Sequence, residues 1–505
     1  MTATNPAPQG TEEAVVNQFG YKQELRRALK YFSVFSVSFS IISITTGIFL
    51  NFGFGFGHLG PAMIWTWPVA GVGQLLVCLV LAELATRIPL AGANYQWGAR
   101  LVSPTYGWFV GSLGIMYGAV GLPAIMYLAA APLTEYVFNV SNPSGRLTLF
   151  VALLFITVAY LINVISVQLA ARVNNVAVFT EIVGTVVLAV LLFFLWVGNH
   201  KHTDHGLGYI GHHFHLAGQP YWYAITLASL IGIFTIVGFE VAADLSEEAV
   251  DARRSVPRAM IGSVVWSTVL GMIVLIGFVI AVPSDKFFSD TGGFLPAMFQ
   301  YWIGSGLART FTAIVVFSMF ALTVVGAAAN ARLYYAMSRD NMLPGSSLLR
   351  MVHPRTKTPM PALGASYVIT VGVMIYGYNQ ANAFGTLVGA TALVPFVVYF
   401  LTVVAYGWKR RGLEAMPGAF SLGKWAGPVF VGAFVWLVVA ILALSLPKDF
   451  HGADRYVGYG IGLAAIWWAV GLYPRLRRHT AGVTHIPEQR SVDLTTTDKR
   501  STIGG

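Results

Sequence analysis

The sequence predicts an all-α, polytopic membrane protein with twelve transmembrane helices. Hydrophobic residues make up 56% of its 505 residues, charged residues only 10%, and the mean hydropathy is +0.67. Such a chain has too much apolar surface for one soluble core, and its apolar runs exceed the length that spans a bilayer. The alternating pattern of a lipid-facing barrel is missing, so we expect helices, which satisfy every backbone polar group within their own segment.

Twelve apolar segments justify the number of helices. They cover residues 31–55, 61–87, 93–131, 148–164, 169–197, 221–246, 259–282, 306–336, 361–378, 382–408, 427–447 and 454–474. An even number of spans returns the chain to its starting side, so the polar segments 1–30 and 475–505 are expected to be tails on one side. No cleavable signal sequence is expected, since the first tail is polar and contains acidic as well as basic side chains.

The distribution of basic residues predicts the orientation. If both tails are cytoplasmic, only six of the 31 Lys and Arg residues lie outside, and this bias satisfies the positive-inside rule for a plasma (inner) membrane protein. The formal net charge of +10 is therefore a topology signal. The expected partners are the lipid bilayer and a small-molecule substrate. No nucleic-acid partner is expected, because no soluble stretch carries a basic face with interleaved aromatic residues.

The cysteine and histidine residues do not predict a metal site. Cys78 is the single cysteine, so no disulfide framework exists. The outer loop 198–220 is rich in histidine, at a spacing that could bind a transition metal. A solvated polar loop is the favoured interpretation, because no acidic or cysteine partner completes a site. The histidines concerned are His200, His202, His205, His212, His213 and His215.

Two interrupted spans predict the internal symmetry. Residues 40–49 of span 1 carry hydroxyls and a glycine, and Val237 and Gly238 break span 6 at a comparable depth. Discontinuous helices 1 and 6, five spans apart, are typical of a five-plus-five inverted repeat, here residues 31–197 and 221–408, with helices 11 and 12 in residues 409–474 outside it. Unwinding exposes amide donors and carbonyl acceptors where a substrate is desolvated. The alternative is that the glycines only permit close helix packing.

Four sequence elements resemble the amino acid, polyamine and organocation (APC) transporter superfamily. They are residues 45–49, residues 82–97, residues 234–240 with 246–248 and 256–259, and residues 332–344 with 353–359. Residues 20–25 and 39–43 are most similar to the amino acid/choline (GABA permease-like) branch. The resemblance implies a LeuT-like fold and transport of amino acids, GABA, choline or related amines.

The chain departs from the family pattern at two positions. Thr45 replaces the first glycine of the Gly-Ser-Gly element of span 1, which makes that backbone less free and weakens the case for an ordinary α-amino acid as substrate. Glu181 stands in span 5 where many relatives have a lysine proposed to replace a sodium ion. A carboxylate there cannot serve as the same fixed cation.

The resemblance and the helix breaks together nominate the substrate-binding residues. Span 1 and span 6 are expected to offer polar backbone and hydroxyl groups, and an aromatic ring one turn before the break could stack on a cationic amine. Mid-span hydroxyls can instead bond back to their own helix, and an apolar-helix aromatic can be plain packing. The nominated residues are Thr45, Thr46, Gly47, Phe234, Val237 and Gly238.

Two acidic residues within the spans are the candidates for proton coupling. Glu240 follows the break in span 6, and Glu181 lies inside span 5. An acid within a span is a functional candidate by default, because it is costly in lipid. The alternatives are a hydrogen-bond clamp for Glu240 and an internal partner, such as Arg332 or a hydroxyl-rich neighbour, for Glu181. A proton is the expected coupling ion and sodium is less expected, because residues 326–330 of span 8 are poor in hydroxyl ligands, although Thr323 is close.

Charged residues at the cytoplasmic ends of spans are expected to close the inward gate. Interfacial ion pairs, rather than substrate contact, are the favoured role for these groups, and Glu83 and Asp244 are grouped with them. The gating candidates are Glu247, Glu248, Arg253, Arg258 and Arg339.

The function expected from the sequence is secondary active transport of an amino acid or small amine by alternating access, as proton-coupled symport or exchange. No enzyme is expected, since no phosphate loop, metal-ligand spacing within a span or nucleophile motif occurs. The open alternatives are a choline- or polyamine-type cation transporter, and a membrane receptor or channel without coupled turnover. A channel requires a filter or charged rings, and no such repeated element occurs.

Overall fold

The computed structural model describes residues 15–198, 203, 205–214, 219–379, 383–410, 420–450 and 453–483. Parts of both expected tails and of the histidine-rich loop, including His200, His202 and His215, lie outside the described residues. Within them, the β structure consists of one isolated parallel bridge between Leu29 and Ala249. The all-α prediction is therefore confirmed.

Twenty α-helices follow one another along the described chain. They are α1 (Tyr31–Ile42), α2 (Ile44–Leu59), α3 (Thr66–Arg87), α4 (Ala93–Leu101), α5 (Pro104–Ile125), α6 (Ala131–Val137), α7 (Gly145–Ile165), α8 (Val167–Gly198), α9 (Tyr221–Ala228), α10 (Leu230–Thr235), α11 (Val241–Asp244), α12 (Ala252–Ile280), α13 (Phe287–Asp290), α14 (Leu295–Arg339), α15 (Ser346–Leu349), α16 (Met360–Asn379), α17 (Ala383–Lys409), α18 (Ala426–Ser445), α19 (Ala453–Trp467) and α20 (Tyr473–Arg477).

The described residues contain ten helical stretches that are long and apolar enough to cross a membrane. The first stretch, Tyr31–Arg87, includes both predicted spans 1 and 2, and a shorter apolar stretch, Tyr221–Thr235, lies in predicted span 6. The protein is thus a multi-pass membrane protein, as expected. The count of twelve and the inverted repeat stay predictions, because length and hydropathy do not by themselves place a helix across the bilayer.

The first interruption lies at Ser43, between α1 and α2. This serine has a left-handed backbone, with φ 37° and ψ 85°, and its side chain accepts a hydrogen bond from the Thr46 amide. A serine hydroxyl is a preferred N-cap because it satisfies one of the amides that a helix leaves without a partner at its start. The sequence placed the irregularity anywhere in residues 40–49. Gly47 itself is helical.

The second interruption lies between α10 and α11. The backbone leaves the helix at Ile236, with φ −86° and ψ 60°, and Gly238 has a φ of +82°. The α11 helix that follows has only four residues and is succeeded by a 3₁₀ turn at Ser246–Glu248. Predicted span 6 is therefore divided into several short pieces, and much of its backbone polarity faces neighbouring helices.

The broken helices lie at the centre of the bundle. The α2 helix packs on α10, and α1 packs on α11, α12 and α8. The long α14 helix packs on α8 and α7, while α17 packs on α5. The two breaks are thus enclosed by unbroken helices, which shield the exposed backbone groups from lipid.

Both described ends of the chain lie on one face. Residues 20–24, 339–341 and 479–482 line one shallow depression, and we call this side the terminal face. Phenylalanine rings pack together on the other side of the breaks. Ring centroids lie 5.2 Å apart for Phe52 and Phe288 and 5.3 Å apart for Phe56 and Phe288. This aromatic cluster fills the space between α2 and α13 on the side away from the terminal face.

Candidate functional site

A cavity of about 100 Å³ lies among α1, α4, α5, α11, α14 and α17. That volume holds several water molecules, since one water requires about 10–15 Å³. Most of the wall is apolar, with residues such as Ile41, Leu122 and Val398. The cavity borders the second helix break through Glu240 and reaches Asn94 and Tyr95 near the terminal face. It is therefore a chamber beside the interrupted backbone.

Four glycines of α5 open this chamber. Gly111, Gly114, Gly118 and Gly121 follow one another at helical spacing and line the cavity. A Cβ atom on Gly118 would lie 1.9 Å from Oδ1 of Asn330 on α14. This stripe of glycines was not predicted from the sequence. Its signal was the spacing of three and four residues between glycines in span 3, which is also the spacing of ordinary close helix packing.

Glu240 lies at the cavity wall and is 6% exposed. Its carboxylate accepts a hydrogen bond from the Tyr399 hydroxyl, and the same hydroxyl accepts a hydrogen bond of 2.8 Å from the Gly238 amide. The Tyr399 ring also stacks on Phe239 at 5.3 Å. Tyr399 therefore holds both the backbone of the break and its acid. Tyr399 could not be predicted from the sequence, because it is one aromatic residue in an apolar run.

The two broken helices are joined directly at the breaks. The Ser38 hydroxyl of α1 donates a 2.7 Å hydrogen bond to the Phe239 carbonyl. Gly238 approaches α1 so closely that an added Cβ would lie 2.1 Å from Cγ2 of Ile41. Both the left-handed φ and the close approach require glycine at this position.

We expect Gly238→Ala to disrupt the break. The left-handed backbone costs an alanine about 1–2 kcal/mol, and the contact with Ile41 adds to that cost. The melting temperature in detergent and substrate binding should both fall. Gly364→Ala is the matched control, because that helical glycine has open space around its Cβ position. Equal melting temperatures of the two variants would contradict this account of the break.

Glu181 joins α8 to the first break and to α14. Its Oε1 accepts hydrogen bonds from the Thr45 amide at 3.1 Å, the Thr45 hydroxyl at 2.8 Å and the Ser43 hydroxyl at 3.3 Å. Its Oε2 accepts a 2.6 Å hydrogen bond from the Ser318 hydroxyl. The side chain is 1% exposed. Of the two internal partners considered from the sequence, hydroxyl groups surround Glu181, whereas Arg332 pairs with Glu248.

The carboxylate of Glu181 lies at the amino end of α2. Backbone amides at the start of a helix carry a partial positive charge and attract anions. Glu181 uses the Thr45 amide, while the Thr46 amide donates to the Ser43 hydroxyl at 3.3 Å. The protein's own acid therefore occupies the anion position of the first break. Ser318 was not predicted from the sequence, because hydroxyl ligands in span 8 were expected only around residues 323–330.

The six residues nominated for substrate binding are all buried, and none of them lines the cavity. The hydroxyls of Thr46 and Ser43 lie 2.6 Å apart, so they bond within the break. Gly47 packs on α10, where its Cβ would lie 1.8 Å from the Thr235 hydroxyl oxygen. Thr45, Thr46, Gly47, Phe234, Val237 and Gly238 therefore lie at or next to the two breaks and outside the cavity lining. Their contact with substrate stays a prediction.

Two buried ion pairs lie beside the terminal face. Glu247 accepts hydrogen bonds from both terminal nitrogens of Arg339, at 3.0 and 3.1 Å, and from the Ala91 amide at 2.9 Å. Glu248 pairs with Arg332 at 2.6 Å, and both side chains are fully buried. These contacts tie the turn after α11 to α14, and the first also ties it to the residues before α4.

Arg253 and Arg258, also nominated for the gate, form no ion pair among the described residues. Arg258 is exposed, and Nε and Nη2 of Arg253 are buried without a hydrogen-bond partner. Only the acidic members and Arg339 of the nominated set are therefore interlocked. Glu83 pairs locally instead, with Arg87 one turn away at 2.7 Å.

The segment before α1, residues 15–30, covers the Glu247–Arg339 and Glu248–Arg332 ion pairs. The ring of Tyr21 lies 3.6 Å from the Arg339 guanidinium carbon, and its hydroxyl donates a 2.6 Å hydrogen bond to Asp340. Burial and the Asp340 carboxylate hold the pKa of the Tyr21 phenol well above its ordinary value, so it remains a donor at neutral pH. Leu29 pairs in a bridge with Ala249. We call residues 15–30 the strap.

We expect Tyr21→Ala to loosen the strap. It removes a cation–π contact, worth about 0.5–2 kcal/mol, and a hydrogen bond to a charged group, worth about 1.5–3 kcal/mol. Trypsin cleavage after Lys22 and Arg26, both exposed, should become faster. Tyr21→Phe keeps the ring and should have an intermediate rate. Unchanged cleavage in Tyr21→Ala would show that other contacts hold the strap.

Comparison with known proteins identifies the family. The family model described as amino acid permease matches residues 29–470. The chain belongs to the amino acid permease family. The permease is 27% identical to the amino-acid permease BAT1 of Arabidopsis thaliana, over 93% of this chain and 96% of that protein. It is 28% identical to the GABA-specific permease of Saccharomyces cerevisiae, over 92% of this chain and 83% of that protein.

A third relative extends the likeness along the chain. The amino-acid permease 2 of Neurospora crassa is 23% identical over 98% of the permease and 94% of its own length. The expected resemblance to the APC superfamily is thus confirmed. The permease is a transporter and not an enzyme, as the sequence predicted.

Proposed function

We propose that the permease moves an amino acid or small amine across the plasma membrane by alternating access, as a proton-coupled symporter or exchanger. Both termini are cytoplasmic in this proposal, in agreement with the bias of Lys and Arg residues. The terminal face is then the inward side, and the aromatic cluster around Phe288 is the outward side.

One observation carries the proposal: both helix breaks lie beside a chamber, and side chains from neighbouring helices hold them. Ser38 links α1 to the second break, Tyr399 links it to α17, and Glu181 links the first break to α8 and α14. Substrate and coupling ions of such transporters bind at discontinuous helices. A shift of the broken helices relative to these partners would open the chamber to one side at a time.

Glu181 and Glu240 are the proposed proton carriers. Each is buried, each borders one break, and each accepts hydrogen bonds that tie the break to another helix. Protonation weakens such bonds, because hydrogen bonds to a charged acceptor are about twice as strong as neutral ones. Proton uptake would therefore loosen the links that keep the broken helices in place. Sodium remains the less favoured coupling ion.

Reconstitution into proteoliposomes tests the function. Liposomes loaded with an unlabelled amino acid or amine should accumulate the labelled compound by counterflow, and an inward pH gradient should drive net uptake. Binding without counterflow would identify a receptor, and flux that does not saturate would identify a channel. Either result would overturn the proposal.

A further inference from the structure

The charges on the cavity wall are of one sign. Glu240 and Asp244 line the chamber, and no Lys, Arg or His is among the described residues that do so. Glu240 has the Tyr399 hydroxyl as a donor. The Asp244 side chain, at the end of α11, accepts no hydrogen bond and pairs with no base within the described part of the chain. Asp244, which the sequence groups with the gating residues, forms none of the ion pairs there.

Asp244 is partly exposed, and a carboxylate that faces a small apolar chamber without a protein partner loses part of its hydration and gains no hydrogen bond in exchange. The nearby Glu240 carboxylate raises the cost of ionising Asp244. Glu240 and Asp244 are four residues apart, which brings them to one side of a helical turn, and like charges so placed repel each other. A cation in the chamber would relieve both costs, since an opposite charge nearby stabilises the ionised carboxylate.

The breaks offer little to a substrate carboxylate. At the first break the Thr45 amide is taken by Glu181 and the Thr46 amide by Ser43. At the second break the Gly238 amide is taken by Tyr399. A substrate carboxylate entering the chamber would meet two acids and find these backbone donors already bonded, so a substrate that carries one needs an excess of positive charge.

The remaining wall suits the body of an aliphatic amine. Ile41, Leu122 and Leu333 contribute apolar surface, and Tyr117 contributes an aromatic ring. A cation is attracted to the face of such a ring. The wall thus combines a hydrophobic lining with one free acid.

We propose that the permease selects substrates of net positive charge, and that Asp244 is the residue that determines this selectivity. The proposal rests on the proposed function, in which this chamber holds the substrate. The class comprises aliphatic amines and basic amino acids, and the ammonium group lies against Asp244.

Calorimetric measurement of ligand binding to the purified permease in detergent tests the proposal. Putrescine and 4-aminobutyrate form a matched pair, since they have similar length and differ at one end, where putrescine has an ammonium group and 4-aminobutyrate has a carboxylate. Lysine and leucine form the second pair. The wild type should bind the cation of each pair at least about tenfold more tightly, a difference of about 1.4 kcal/mol. Asp244→Asn should remove most of this preference by weakening the cation alone.

Two variants control the measurement. Asp244→Glu preserves the charge and should keep the preference, while Asp290→Asn removes an exposed acid of α13 and should change nothing. If Asp244→Asn does not fold, the wild-type pairs and Asp244→Glu decide the matter. The proposal is overturned if the wild type binds zwitterions as tightly as cations, if it binds none of the four, or if Asp244→Asn keeps the preference. The proposed function fails separately, by absence of counterflow.

Discussion

Replacing Glu181 by glutamine is expected to abolish proton-driven uptake while leaving some exchange. Glutamine has nearly the same shape, and it can fill the site without a clash. Its Oε1 can accept from the Thr45 amide, and its Nε2 can donate to the Ser318 hydroxyl, which rotates to accept. The side chain cannot take up and release a proton near neutral pH. Uptake driven by a pH gradient should fall about tenfold or more, equivalent to at least about 1.4 kcal/mol.

The measurement compares pH-driven uptake with counterflow in the same proteoliposomes. Glu135→Gln is the matched control, because Glu135 is another buried glutamate that accepts a hydroxyl hydrogen bond, from Thr148 at 2.7 Å. It lies on α6, away from both breaks, so its variant should retain normal coupling. Unchanged pH-dependent uptake in Glu181→Gln would count against the assigned role of Glu181.

The second large effect is expected at the buried Glu248–Arg332 pair. Both side chains are fully buried, and the guanidinium donates to both carboxylate oxygens, at 2.6 and 3.2 Å. Glu248→Gln removes the negative charge and leaves Arg332 without its counter-charge in the protein interior. Breaking a buried pair in this way typically costs about 3–5 kcal/mol. The melting temperature in detergent should therefore fall strongly.

Two further variants separate charge from general damage. The combined change Glu248→Leu with Arg332→Met removes both charges, and should recover much of the loss because no unpaired ion remains. Arg258→Gln alters an exposed residue without an ion pair, and its free energy of unfolding should be within about 0.5 kcal/mol of the wild-type value. A Glu248→Gln variant that melts like wild type, or a double variant less stable than the single one, would refute the assigned importance of the pair.

Helix contacts explain why the partners of the critical acids could not be predicted. Glu181 was recognised because an acid in an apolar span is unusual. Its donor Ser318 is 137 residues away in sequence, and one serine in an apolar helix has no distinctive pattern. Tyr399, which is 159 residues from Glu240, is equally inconspicuous. Such contacts depend on how helices rotate and pack against each other, and hydropathy does not determine either.

The positions of the two breaks could also be predicted only in part. Polar residues within apolar spans revealed both of them, because helix-interrupting and hydroxyl residues are conspicuous there. The sequence placed the interruption of span 1 only within residues 40–49, and the structure breaks at Ser43 and keeps Gly47 helical against Thr235. Gly47 is needed for close packing, which was the alternative considered, while Gly238 is needed for its backbone conformation.

Composition and the spacing of apolar residues determined that this chain is a helical membrane protein with interrupted helices, since a bilayer accepts only backbone whose polar groups are satisfied internally. The residue pattern also determined the family and the acids within the spans. The tertiary structure alone decided that Glu181 caps the first break, that Arg332 belongs to Glu248, and that Asp244 faces a chamber. Each depends on distances between side chains of separate helices, and only their packing sets those distances.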